Sequence, residues 1–297
     1  MNQGLVEAGN ESFRTRKPDW LRVRLRRSDD YFEVARTLRR FGLHTVCEEA
    51  HCPNSTDCWG RKTATFMILG DVCTRSCRFC SVKSSTKGKP VDMAEPRRLA
   101  EAVKNLGIKY VVITSVDRDD LPDGGAEHFV RCIRTIKNLS SNSRVEALIP
   151  DFGGDLRPLK RVVEAQPDVI GHNIETVKRL QSKVRDRRAS YETSLKVLEN
   201  IKRLKHDIWT KSSLMIGLGE SETEVLEALI ALRARGVDIV TIGQYLQPSK
   251  HHLPVVEYVK PEVFDHYKAE AEKLGFKHVF SGPLVRSSYR ASESFLN

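Results

Sequence analysis

The stretch SSLMIGLGESETEVLEALIALRARGVDIVTI, residues 212–242, contains a complete strand–helix–strand unit. Ser212 to Ile216 is a short, largely apolar run of strand length. Ser221 and Glu224 are spaced as a capping box at the start of a helix. Val225, Leu229 and Leu232 fall on one face of that helix, and Gly236 is placed to stop it. Asp238 to Ile242 then supplies a second short strand, so the unit reads as βαβ with parallel strands.

The same alternation extends upstream. Phe66 to Leu69, Tyr110 to Thr114, Val145 to Ile149 and Asp168 to Gly171 have the length and composition of further strands. Leu99, Val103 and Leu106 mark a helix that stops at Gly107. Leu156, Leu159 and Val163 mark another, as do Leu195, Leu198 and Ile201. A last helix carries Phe264, Tyr267, Ala271 and Leu274 and ends at Gly275. Six such repeats are too few for a closed eight-stranded barrel. An α/β open or partial barrel, or a doubly wound sheet, remains, and either one gathers ligands at the C-terminal ends of its strands. Residues 1 to about 60 show little periodicity and are expected to form an extension docked on the repeats.

Composition narrows the function class. The chain has 297 residues, 40% of them hydrophobic, enough for a substantial core and too many for intrinsic disorder. No apolar run approaches a membrane span, and the first residues, with Glu7 and Glu11, lack a signal-peptide core; a cytoplasmic location is expected. Lys plus Arg number 49 against 39 Asp plus Glu, a net charge of +10. The excess concentrates between Arg14 and Arg27, where Asp19 is the single acid, and between Lys178 and Arg188, where Asp186 is. No zinc finger, RNA-recognition aromatic signature or basic zipper accompanies these runs, so no nucleic-acid partner is expected. The alternatives are a solvated basic face and an acidic partner.

Six of the seven cysteines lie between Cys47 and Cys80 and resolve into two triplets. Cys47, Cys52 and Cys58 are spaced C-x4-C-x5-C in VCEEAHCPNSTDC. Cys73, Cys77 and Cys80 are spaced C-x3-C-x2-C in VCTRSCRFC, inside the loop Gly70 to Gly88 that follows the first strand. Cys132, on the apolar face of EHFVRCIRTI, reads as a core thiol. In a cytosolic chain, clustered thiols point to metal or redox chemistry rather than disulfides. Three thiolates in so short a loop suit one iron–sulfur cluster, with one iron left open. Structural zinc is the alternative; it wants four closed ligands, which His44 and His51 could complete at the first triplet.

C-x3-C-x2-C with Phe79 before the last cysteine resembles the signature of radical S-adenosylmethionine (SAM) enzymes. With the upstream triplet, the chain is similar to the lipoyl synthase family. RKPDWLR (16–22), CPN (52–54), RDDLPDGGA (118–126), HNIETV (172–177) and RSSY (286–289) match it as well, so the resemblance spans nearly the whole chain. It implies a partial (β/α)6 barrel of the TIM type over residues 61–280, an extension over 1–60 bearing an auxiliary cluster, and a tail over 281–297.

It also implies roles. Cys73, Cys77 and Cys80 would hold a 4Fe–4S cluster whose open iron chelates SAM, yielding a 5′-deoxyadenosyl radical. Cys47, Cys52 and Cys58 would hold a second 4Fe–4S cluster consumed as sulfur donor. Its fourth ligand would come from Ser287 or Ser288, with Ser288 favoured, a harder and more easily displaced ligand than thiolate. Asp123, Gly124, Gly125, Glu175, Gly217, Gly219 and Glu220 would contact SAM; ordinary turn and helix-start roles are the alternative. No side chain acts as a conventional acid or base. The implied reaction inserts two sulfurs at C6 and C8 of an octanoyl group on an acidic lipoyl-carrier domain. An electron donor such as flavodoxin or ferredoxin and an iron–sulfur carrier protein would be further partners. A biotin synthase-like enzyme lacks the upstream triplet, an RNA-modifying one wants spare length, and an iron–sulfur regulator or zinc-stabilised binder would do no radical chemistry.

Overall fold

Seven strands run parallel, side by side, in the order in which the chain makes them. The structure is a computed structural model, and it describes residues 17–23 and 27–294. Arg14, Arg16, Arg24 and Arg26 of the first basic run lie outside the described residues. The strands are β1 (Thr65–Ile68), β2 (Tyr110–Ser115), β3 (Arg144–Leu148), β4 (Val169–Gly171), β5 (Trp209–Ile216), β6 (Ile239–Gln244) and β7 (His278–Gly282). They alternate with helices α1 (Glu95–Leu106), α2 (Ala126–Leu139), α3 (Leu156–Glu164), α4 (Tyr191–Leu204), α5 (Glu222–Ala234) and α6 (Pro261–Lys273). A doubly wound sheet reverses its strand order midway. This one does not, which excludes that alternative. β7 pairs with β6, and the free edge of β1 is taken by the antiparallel pair His44–Thr45, so the barrel stays open.

The six β/α units are those legible in the periodicity; β7 is a seventh strand that was not. Its five residues are all only partly buried, so no apolar run announces it. The division expected at 280/281 falls inside β7, and the barrel sheet continues to Gly282. Elsewhere the local chemistry does what its residue types dictate. The Ser221 hydroxyl accepts from the Glu224 amide at 3.3 Å while the Glu224 carboxylate accepts from the Ser221 amide at 2.8 Å, closing the capping box of α5. Leu99, Val103 and Leu106 of α1, and Phe129, Cys132, Ile133 and Ile136 of α2, are buried against the outside of the sheet. The extension joins this body through His44–Thr45 and through the helix Asp29–Phe41, whose Val34 and Leu38 belong to the same core as Trp59.

A second, smaller apolar cluster combines Tyr110, Val112, Val169 and Ile239 with Ala291 of the C-terminal tail. Beside it lies a buried polar group. The Tyr110 hydroxyl donates to the Glu146 carboxylate at 2.6 Å, and Lys211 Nζ donates to both its oxygens at 3.0 and 3.1 Å. Removing one partner of a buried pair leaves an uncompensated charge. Lys211→Met is therefore expected to cost about 3–5 kcal/mol in urea unfolding, and the double variant Lys211→Met/Glu146→Gln to recover most of that loss.

Candidate cluster-binding site

One cavity of about 560 Å³ opens at the C-terminal ends of the strands, and all six clustered cysteines line it. β1 ends in a sharp turn, with Leu69 (φ 68°) and Gly70 (φ 87°) both left-handed, which sends the chain into the second triplet. Both ends of this loop are clamped by RDDLPDGGA. Arg118 donates to the Leu69 carbonyl at 3.3 Å and to the Asp120 carboxylate at 2.7 Å, and Asp120 accepts from the Gly88 amide at 3.2 Å. A β-carbon on Gly88 would stand 2.3 Å from the Arg118 side chain, so only glycine fits there. Two thiol sulfurs already accept backbone amides: Cys73 from Arg75 at 3.4 Å and Cys77 from Asp186 at 3.3 Å.

Arg75, between the first two cysteines of this triplet, is buried. Its guanidinium donates to Asp119 at 2.8 and 3.0 Å and to Asp151 twice at 2.7 Å, and lies 3.5 Å from Asp117. These acids follow β2 and β3, so one side chain ties the cluster loop to two strand ends. Burial pushes the Asp117 carboxyl up to about 6, although Arg75 opposes the shift.

The first triplet sits on short local structure. Cys47 lies in the helical turn Val46–Glu49, capped by Thr45, and Cys58 in the helix Ser55–Gly60. Asn54, from the CPN match, donates to the Leu284 carbonyl at 2.6 Å and so pins the tail beside these thiols. The tail passes over β6 at Gly243, where a β-carbon would stand 2.1 Å from the Val285 carbonyl oxygen. Arg286, Ser287, Ser288 and Tyr289 thereby line the same cavity as the cysteines.

Burial pushes the Cys47, Cys73 and Cys80 thiols up to about 11, and Cys58 and Cys77 up to about 12. Such thiols ionise near neutrality only when a metal supplies the compensating charge. A single tetrahedral zinc would need sulfurs about 3.8 Å apart. Among the described residues, the one group of three donors converging within 4.8 Å is His44, Glu49 and Asp71, which includes no cysteine. His44 thus groups with Glu49 and Asp71 rather than with the thiols of the first triplet.

Of the remaining residues singled out in the sequence, Glu175 lines the cavity and the other six do not. Asp123 accepts from the Gly125 and Glu127 amides and starts α2, while Gly124 and Gly125 take left-handed turns. Gly217 and Gly219 are also left-handed, and the Glu220 carboxylate accepts from the Gly217 and Leu218 amides. Glu175 sits in the left-handed region at φ 65°, strain that its bridge to β5 maintains, and burial raises its carboxyl. Beside it, His172 donates from Nδ1 to the Ile149 carbonyl and accepts at Nε2 from Ser194, each at 2.9 Å. Burial pushes its pKa down to about 4, so the ring stays neutral. Arg75, Asp117, Asp151 and Arg185 also line the cavity and carried no spacing signal of their own.

A parallel six-unit barrel that gathers cysteine triplets at its strand ends defines an iron–sulfur enzyme of the radical SAM superfamily, whose family model matches residues 67–243. Members of that superfamily work with a 4Fe–4S cluster and SAM. Residues 2–52 match the N-terminal domain of lipoyl synthase. The chain is 57% identical to lipoyl synthase of Caldicellulosiruptor saccharolyticus, over 94% of this chain and 98% of that one. It is 54% identical to lipoyl synthase of Thermus thermophilus, over 100% and 92%. Among solved structures, methylornithine synthase shares the fold at a TM-score of 0.54, with 13% identity over 73% of this chain and 70% of that chain. The chain belongs to the lipoyl synthase family.

Two outcomes test this geometry. Arg75→Met leaves the fully buried Asp151 without its cation and should lower stability by about 3–5 kcal/mol in denaturant unfolding. The raised pKa of Asp117 means that protonation favours the folded state; this contribution is complete below pH 3.8 and is lost as pH rises through about 6. Cluster-free Asp117→Asn should therefore gain stability relative to the parent between pH 4 and 7; parallel pH curves would contradict it.

Proposed function

We propose that Cys73, Cys77 and Cys80 hold a 4Fe–4S cluster that binds SAM at its open iron. Cys47, Cys52, Cys58 and Ser288 hold a second 4Fe–4S cluster, and the chain inserts two sulfurs at C6 and C8 of a protein-bound octanoyl group. When bound, these groups supply a 5′-deoxyadenosyl radical from SAM and sulfide sulfur. The observation that carries the proposal is that both cysteine triplets and the tail serines line one cavity. Groups held at the two triplets would then share one cavity rather than face each other across solvent.

An alkyl C–H has no acidity for a general base to use, so the chain's own residues bind, orient and exclude water. Neutral His172 and the strained Glu175 wall the SAM side, where Glu175 accepts from the ribose hydroxyls. Asp123, Gly124 and Gly125, and Gly217, Gly219 and Glu220, form turns after β2 and β5, where they would contact SAM. Tail residues 285–289 cover the auxiliary side, and a serine oxygen there gives the second cluster a displaceable ligand. The octanoyl group arrives on an acidic lipoyl-carrier domain, electrons come from a donor such as flavodoxin or ferredoxin, and an iron–sulfur carrier protein is a further partner. No described helix is long and apolar enough to cross a membrane.

Anaerobic reconstitution tests the two-cluster division. The parent should take up about eight irons per chain and Cys52→Ala about four. Cys52→Ala should still release 5′-deoxyadenosine from SAM but form no lipoyl product on an octanoyl peptide. Ser288→Ala should impair product formation while Ser287→Ala does not. Full sulfur insertion by Cys52→Ala would overturn the division.

A further inference from the structure

The basic run from Lys178 to Arg188 separates into two populations. Lys178 pairs with Glu192 at 2.9 Å, Arg179 with Glu224 at 2.6 Å and Arg188 with Asp186 at 2.8 Å. Arg185 is buried and donates to Gln181 and Ser194 at 3.2 and 2.8 Å. Lys183 and Arg187 are different. They are exposed, and neither has an acid within ion-pair distance among the described residues.

These two cations border the loop of the second triplet. The Arg78 amide donates to the Val184 carbonyl at 2.9 Å, and its guanidinium reaches the Lys183 carbonyl at 3.5 Å. The Asp186 amide donates to the Cys77 sulfur at 3.3 Å. On the other side, the Leu253 amide donates to the Arg78 carbonyl at 3.2 Å, and the His252 ring donates to the Cys80 carbonyl at 2.9 Å. Three segments, 76–80, 183–188 and 248–253, are thus joined edge to edge around two cysteines. They expose Arg78, Lys183, Arg187 and Lys250, none of them ion-paired among the described residues. Their single acid, Asp186, is neutralised by Arg188.

We propose that this face docks an acidic one-electron carrier protein that reduces the cluster of Cys73, Cys77 and Cys80. The inference rests on the cluster assignment above. Reductive cleavage of SAM needs an electron from outside, and here the outer surface is the cluster loop itself, with Arg78 between two of its cysteines. Converging cations without counter-charges repel one another and add nothing to folding; their use is a field that steers a partner of opposite sign. The face is polar and exposed, which suits a small transient redox encounter. Hydrogen bonds hold the three segments together against Cys77 and Cys80, so a partner seated there lies close to the cluster loop. In the step, the carrier loses one electron and the cluster gains it; no bond changes and no proton moves.

The test is the triple variant Lys183→Glu/Arg187→Glu/Lys250→Glu of the cluster-loaded protein, which leaves the cysteine loop intact, with iron content and circular dichroism confirming the fold. A flavodoxin serves as the probe. Its binding to the parent should weaken as salt is raised, and the triple variant should bind it at least about tenfold more weakly at low salt. Carbodiimide cross-links from Lys183 and Lys250 to the flavodoxin carboxylates should form with the parent. With reduced flavodoxin, deoxyadenosine release by the variant should fall about tenfold, while with dithionite it should match the parent. Equal binding and equal rates in the two proteins would overturn the proposal. So would a variant that keeps flavodoxin-driven SAM cleavage but loses sulfur insertion on the octanoyl carrier alone, since the face would then serve the carrier. No SAM cleavage by the parent with dithionite would overturn the cluster assignment itself, and this role with it.

Discussion

The guanidinium of Arg75 is the tie on which the site depends. A loop of nineteen residues between Gly70 and Gly88 has few apolar side chains to hold it on the barrel. What holds it is charge: Arg75 against Asp117, Asp119 and Asp151, and Arg118 against Asp120. Asp151 is fully buried and Arg75 nearly so, which makes both dependent on the pairing. The loop therefore has a defined place at the strand ends, and its three thiols line the cavity there.

The second half of the site is assembled from chain ends. Thiols near position 50 meet serines near position 288 because Asn54 fixes the Leu284 carbonyl and because Gly243 gives the tail room to cross β6. Ala291 then anchors the tail in the inner apolar cluster with Tyr110 and Val112. The open barrel is what permits this. A closed one would leave no free edge for His44–Thr45 to extend, and the first triplet follows that strand directly.

Much of this was legible in the sequence, for identifiable reasons. The helical faces, the Ser221 capping box, the core position of Cys132 and the two thiol triplets all follow from local rules, in which spacing alone decides geometry. β7 was not legible, because a half-exposed edge strand carries no apolar run. The glycines at 124, 125, 217 and 219 take positive φ values in turns whose amides are capped by Asp123 and Glu220, a role that the sequence offered beside ligand contact without deciding between them. Arg75 and its acids were invisible for the opposite reason. Their partners are 44 and 76 residues away, and no local pattern reports a pairing over that distance.

The charge excess acquires meaning only from this partition. Buried Arg75, Arg118 and Lys211 are matched to acids and belong to the architecture. What survives is the exposed remainder, and part of it is gathered by the fold. Around the second triplet three segments bring four cations together with one neutralised acid. A net charge of +10 describes the composition; the field a partner meets is set by which of those cations the fold leaves without a counter-charge, and four of them, Arg78, Lys183, Arg187 and Lys250, stand together beside the cysteine loop.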